Sequence, residues 1–274
     1  MRKEEMMIDN VTIPNVPIAS IIGIIASLIV SVGLPVVLCI LVWRKTRARI
    51  SSFFIGAATF IVFALILEQI LHIVVIKATG TALTGNIWLY ALYGGLAAGI
   101  FEETGRYLAM KLCMKKNLNK QNAIMYGVGH GGIEAILLVG MSSISNLIIA
   151  VMINSGQIPM LLSMSGVDDS TYQLAISQMT AISTTPSWHF CMAGVERISA
   201  IIFHISASYL VYLAVSGKKW IFYFLAVLAH FLLDAMTLII AGFLPILAVE
   251  AVIFLATGSF GLAIRRMYRK QGKP

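Results

Sequence analysis

Three histidines, His130, His204 and His230, stand inside long apolar runs that also hold the acids Glu102, Glu103, Glu134 and Asp234. Charge is expensive in lipid, so ionisable residues within membrane spans mark functional sites by default. Neutral imidazole and carboxylate are donors that suit Zn2+, and a catalytic zinc keeps one coordination position for water. Such an ion lowers the pKa of its water toward about 7, where a neighbouring glutamate serves as general base. Spacing adds to residue type. His130 and Glu134, His230 and Asp234, and Glu102 and Arg106 are each four residues apart, so each pair shares a helix face. Arg197 and His204, seven apart, do the same. An acid one turn from a histidine either ligates beside it or orients its ring. Glu102 and Glu103 point about 100° apart on a helix, so one can pair with Arg106 or Arg197 while the other catalyses.

The elements that must position these groups are membrane helices. Of 274 residues 59% are hydrophobic and only 12% charged, with a mean hydropathy of +0.89. Soluble domains carry about 25% charged residues. A span needs about 20 apolar residues, and seven segments qualify: Ile18–Val42, Ser52–Ile76, Ile87–Met110, Ala123–Ile153, Trp188–Val215, Trp220–Ala241 and Phe243–Ile264. The expectation is an all-α polytopic membrane bundle, one domain over residues 1–274, in contact with the lipid bilayer. At 1.5 Å of rise per residue, Glu102 and Glu103 lie roughly 12–14 Å from the basic end of their span, His130 roughly 14 Å, Glu134 roughly 20 Å, His204 roughly 18 Å, and His230 and Asp234 roughly 17 and 22 Å. Four spans running in both directions thus deliver their polar groups to one layer.

The net charge of +8 sits in short runs between apolar segments, which argues against nucleic acid as a partner. Arg44, Lys45, Arg47 and Arg49 follow the first span; Lys115, Lys116 and Lys120, then Lys218 and Lys219, and finally Arg265, Arg266, Arg269 and Lys270 recur on the same side of a seven-span chain. The other side holds Arg2, Lys3 and Lys77, and its long loop Asn154–Ser187 has no lysine or arginine. This bias places the N-terminus outside and the C-terminus in the cytoplasm. The first apolar run is longer than a signal-peptide core and reads as a retained span. In the loop, Ile158, Met160, Leu161, Leu162, Leu174, Ile176, Met179 and Ile182 suggest an interfacial helix or a lid. Cys39, Cys113 and Cys191 show no CxxC spacing and read as small buried hydrophobes. Glu68 and His72 form a separate polar pair, His189 reads as an interfacial histidine, and Glu250 has no assigned partner.

The motifs Glu102-Glu103-x-x-Arg106, Tyr126-x3-His130 extended to Glu134, Glu196-Arg197 followed by His204, and His230-x3-Asp234 resemble the YhfC-like membrane peptidases. That group is similar to the CAAX-type prenyl endopeptidases, the bacteriocin-processing and immunity proteins, the PrsW proteases and the Aph scaffold subunit of γ-secretase. The resemblance covers about residues 87–240. The arginine stands one residue earlier than in the CAAX-type pattern, a tyrosine replaces its phenylalanine, and Glu134 and Glu196–Arg197 lie outside that pattern. The resemblance implies an intramembrane metalloprotease acting on membrane-embedded or membrane-adjacent peptides in a bacterial plasma membrane. Zn2+ is expected on His130, His204 and His230, with Glu102 or Glu103 activating water. Arg106, Glu134, Glu196, Arg197 and Asp234 are expected to support them. Two rivals remain on residues alone. The Aph likeness allows a non-catalytic scaffold or immunity-type protein, and buried histidine–acid chains also serve proton- or cation-coupled transporters, although no repeated halves are visible here.

Overall fold

Proline marks three helix starts, since it lacks the N–H that a first turn leaves unused. Pro17, Pro186 and Pro245 each stand at such a start in the computed structural model, which describes residues 13–158 and 168–270. Among the described residues the regular elements are all helices: α1 (Ile18–Thr46), α2 (Ile50–Thr79), α3 (Ile87–Leu108), α4 (Lys120–Asn154), α5 (Asp169–Thr184), α6 (Ser187–Gly217), α7 (Trp220–Ala241) and α8 (Ile246–Lys270), with a one-turn helix at Thr81–Thr84. The chain is all-α, as its apolar periodicity implies. Pro245 moves the start of α8 three residues past the Phe243 expected from hydropathy.

Six of these helices are long and apolar enough to cross a membrane. The remaining expected span, α3, is 22 residues long but carries Glu102, Glu103 and Arg106. Large apolar side chains such as Ile29, Phe54, Val151 and Leu255 point outward with more than 60% of their area exposed, which suits contact with lipid rather than water. α6 is the central helix. About 67% of its apolar window is buried, against 17–33% in the other five, so both flanks of α6 can present polar groups to protein.

Small residues let backbones meet. A side chain at Gly127 would meet Ile205 Cα at 2.6 Å, at Gly132 it would strike Pro35 of α1, and at Gly129 it would collide with the Phe53 carbonyl of α2. The glycine run around His130 therefore packs α4 against three neighbours. Contacts also fix the relative directions. Gly95 faces Phe231 and Ala235, Gly99 faces Val227, and Tyr107 stacks on Trp220, so α3 and α7 run antiparallel. Gly127 and Gly131 face Ile205 and Ile201, which makes α4 and α6 antiparallel. α2 runs with α4, since Arg49 N donates to Asn122 Oδ1 and Phe60 packs on His130. At the end bearing Lys111 and Lys120, Met110, Met114, Tyr126, Tyr209 and Val211 form a closely packed apolar plug.

The loop helix expected near Leu174 is α5, but it does not cover the polar layer. Its Tyr172, Ala175, Ile176, Met179 and Ile182 pack on Ala150 and Ile153 of α4 and on Val16. The Asp168 side chain caps it: bonds from the Ser170 hydroxyl and from the Thr171 N–H and hydroxyl hold that carboxyl down to about 2. Met160, Leu161 and Leu162, and Arg2 and Lys3, lie outside the described residues. The cysteines depart from expectation: Cys39 and Cys191 are half-buried, and Cys113 is exposed, because it falls in the wide turn ending the α3 segment.

Candidate metal centre

Glu102 and Glu103 are neighbours with different surroundings, because successive helical side chains diverge by about 100°. Glu103 is fully buried between Arg106 of its own helix and His230 of α7. Its Oε2 lies 3.0 Å from Arg106 Nε, and its Oε1 accepts from His230 Nδ1 at 2.9 Å. Glu102 turns the other way, into the middle of the histidines. Its Oε2 lies 2.8 Å from His130 Nε2 and 3.9 Å from His204 Nδ1, while Oε1 lies 3.9 Å from His230 Nε2. The ring centroids of His130 and His204 are 4.9 Å apart, and those of His204 and His230 are 5.6 Å apart.

Arg106 is the floor of this arrangement. It is wholly buried and donates from Nη1 to the His204 carbonyl at 2.8 Å and to Ser208 Oγ at 2.5 Å, and from Nη2 to His204 Nδ1 at 3.1 Å. On the opposite flank of α6, Arg197 donates to Glu134 Oε1 at 2.7 Å and pairs closely with Glu196. Glu134 Oε2 in turn lies 2.5 Å from His204 Nε2. Asp234 lies 3.6 Å from His230 Nε2, one turn along α7. The nine residues singled out by spacing and Glu196, which the motif resemblance adds, are thus brought into one connected cluster, with Glu196 at its rim. His189 lies against Trp188 with the rings tilted at the start of α6, away from the cluster. Ser208 and Phe203 were missed. Ser208 was legible as a hydroxyl four residues after His204, whereas Phe203 against His230 is ordinary packing that no spacing rule announces.

Donor accounting sorts the imidazoles. A guanidinium only donates, so His204 Nδ1 is an acceptor and its ring proton stands on Nε2, toward Glu134. His230 is the reverse: Nδ1–H is held by Glu103, which leaves the Nε2 lone pair facing Glu102 and Asp234. His130 presents Nε2 to Glu102, and its Nδ1 is buried without a hydrogen-bond partner among the described residues. Ligand atoms of Glu102, His130 and His204 all lie within 4.8 Å of one another, and this is the one such metal-competent grouping among the described residues. An ion there would displace the proton shared by Glu102 and His130 and one of the two hydrogen bonds that hold the His204 ring, and the nitrogen–oxygen set is of the kind that binds a borderline divalent cation.

Two spaces adjoin the cluster. A polar cavity of about 140 Å³ is lined by Glu102, Glu134, Arg197, His204, His230 and Asp234. Sharing Phe203, Leu233, Thr237, Ile253 and Thr257 with it is an apolar cavity of about 190 Å³ between α7 and α8.

The profile of the YhfC intramembrane metalloprotease family matches residues 30–254, which include every residue of the cluster. The chain is also 41% identical over 204 residues to a Bacillus subtilis (strain 168) protein described only as the uncharacterized membrane protein YhfC, covering 73% of this chain and 77% of that one. No solved structure matches. A multi-pass integral membrane protein is the common ground of the helices and the relative, and a bacterial plasma membrane fits the Bacillus source. The family's name implies a metal, and the Glu102–His130–His204 grouping offers it a place. The chain belongs to the YhfC intramembrane metalloprotease family.

Proposed function

We propose that the protein hydrolyses peptide bonds of membrane-embedded or membrane-adjacent substrates, with Zn2+ held by Glu102, His130 and His204. The observation that carries this reading is the convergence of those three donors beside a polar cavity in the middle of the bundle. It departs from the three-histidine ligand set expected from the sequence, because the donors that converge within 4.8 Å are Glu102, His130 and His204, and the open Nε2 lone pair of His230 is assigned a different task. When bound, the ion supplies Lewis acidity for a water and for the scissile carbonyl. His230 Nε2 faces the cavity and accepts the proton that the attacking water loses. Glu103 holds the opposite edge of that ring and favours the tautomer and the imidazolium that forms. Arg106 keeps Glu103 and His204 in register. Protonated His230 then returns the proton to the leaving amine, so that amide plus water gives carboxylic acid plus amine. The apolar cavity between α7 and α8 gives an extended substrate segment a way in from lipid.

Two measurements test this. Elemental analysis of detergent-purified protein is expected to find about one zinc per chain, and co-expressed membrane-protein candidates are expected to be cleaved in a chelator-sensitive way. Protein without stoichiometric metal even after zinc supplementation, and without cleavage, overturns the proposal in favour of a scaffold. Orientation is tested separately. With the basic connectors in the cytoplasm, cysteines introduced at Lys116 and Lys219 in a chain lacking Cys39, Cys113 and Cys191 are shielded from an impermeant thiol reagent in intact cells, and one at Asp168 is labelled. The reverse pattern inverts the topology.

A further inference from the structure

α2 carries a polar pair that the centre does not use. Glu68 is buried at 6% exposure, at the end of a stretch Ile61–Glu68 where the helix widens to i→i+5 hydrogen bonding. Such widened turns are rare and gather at functional sites. Glu68 Oε1 lies 3.2 Å from His72 Nε2, and His72 Nδ1 lies 2.8 Å from Tyr93 Oη on α3. A phenol hydroxyl donates to Nδ1 and Nε2–H donates to the carboxylate, so one consistent direction of donation runs inward from Tyr93 to Glu68.

These groups border a cavity of about 300 Å³ whose lining includes Glu68, His72, Tyr90, Tyr93, Asp234 and Thr237. Asp234 and Thr237 also line the polar cavity at Glu102, so the two spaces meet at one turn of α7. The Asp234 side chain is 36% exposed although it stands only one turn of α7 from the buried His230. Lipid is an expensive neighbour for an aspartate, which favours water as the occupant of the space it faces. A cavity of this size with several polar partners on its walls is one that water fills. Tyr90 is the fourth residue of α3, and the chain just outside it is the Gly80–Asn86 connection, so the space reaches the end of the bundle opposite the Met110–Tyr126 plug.

From this geometry we infer that the Tyr93–His72–Glu68 chain and Asp234 line an aqueous vestibule through which water reaches the Glu102 centre from the α2–α3 end of the bundle. The inference deepens the proposed hydrolysis and rests on it: each peptide bond cleaved consumes one water, and the lipid-facing flanks of the bundle supply none. Substrate and water then approach along different faces of α7, the apolar one toward α8 and the polar one toward α2 and α3.

The test uses Gly94→Cys in a chain whose three native cysteines are replaced. A side chain at Gly94 meets nothing closer than Leu238 Cδ1 at 3.5 Å, so the substitution fits. A charged methanethiosulfonate, which modifies thiols in water and not in lipid, is expected to label it. In parallel, Glu68→Leu is expected to keep zinc content and KM while kcat falls by at least about tenfold. Labelling of Gly94→Cys by a lipid-soluble maleimide alone overturns the vestibule, as does Glu68→Leu with wild-type kcat. A wild type that cleaves nothing, with Gly94→Cys labelled by the charged reagent, leaves the wet passage standing and removes the hydrolysis it was meant to serve.

Discussion

Glu102→Gln is expected to empty the centre of zinc, whereas His230→Gln is expected to keep the zinc and lose turnover. The two acids and three imidazoles are close enough that any of them could pass for a ligand by distance, so the split is what discriminates roles. Among the described residues Glu102 is the one carboxylate within 4 Å of all three rings, and its Oε2 faces His130 Nε2 at 2.8 Å. Removing its charge takes away a ligand and with it Lewis acidity worth several kcal/mol, so cleavage falls by at least about 100-fold. His230 has its Nδ1 proton committed to Glu103, and glutamine cannot take a proton in its place. The expected loss is about 10²–10⁴-fold in kcat, the range for a general base, with metal content unchanged. Elemental analysis and a cleavage assay on the same preparations read both quantities. Zinc lost from His230→Gln as completely as from Glu102→Gln would return His230 to the ligand set and vacate the role of base.

Arg106→Leu is expected to destabilise the folded protein by about 3–5 kcal/mol, the cost of breaking a buried ion pair by removing one partner. Glu103 and Arg106 are both wholly buried, and the guanidinium also serves the His204 carbonyl, Ser208 and His204 Nδ1. Leucine leaves a carboxylate without its counter-ion and takes the guanidinium from Ser208 Oγ and His204 Nδ1, while the His204 carbonyl keeps the Ser208 hydroxyl. The double variant Arg106→Leu/Glu103→Gln removes the stranded charge and is expected to recover part of the loss, while cleavage stays low because His230 has lost its orienting acid. Thermal unfolding in detergent measures the first effect and the assay the second. Equal stability of Arg106→Leu and wild type would mean that Glu103 already sits protonated, and the tautomer assigned to His230 would fall with it.

Much of this architecture was legible beforehand because two periodicities are strong. Apolar runs of about 20 residues announce spans, and i,i+4 polar pairs within them announce shared faces. Counting rise from the basic ends brought Glu102, His130, His204 and His230 to one layer, and the structure places them within a few ångströms of each other. The sequence was silent on azimuth. Nothing in Glu102-Glu103 says which acid turns toward the histidines, and the answer comes from Gly95 and Gly99, which seat α3 against α7 and so aim Glu103 at His230. The same gap hid the sorting of imidazole nitrogens, which depends on Arg106 reaching across to α6. α5 was readable as a helix but its docking site was not, since an apolar face fits several surfaces equally well.

The least apolar of the long helices, α3, has a consequence for how the chain is made. Glu102, Glu103 and Arg106 arrive at the membrane on a segment that hydropathy alone does not carry across, and a charged residue at a span's centre opposes insertion by about 2.5–3.5 kcal/mol. The Glu103–Arg106 pair travels with the helix, but the other partners come much later: His204 and Ser208 stand about a hundred positions downstream of Arg106, and His230 stands 127 positions downstream of Glu103. During synthesis α3 therefore emerges well before the residues that make its polar face tolerable in lipid. Its settling into the bilayer is coupled to the arrival of α6 and α7, so that for this chain completing the membrane topology and completing the polar centre are one and the same step.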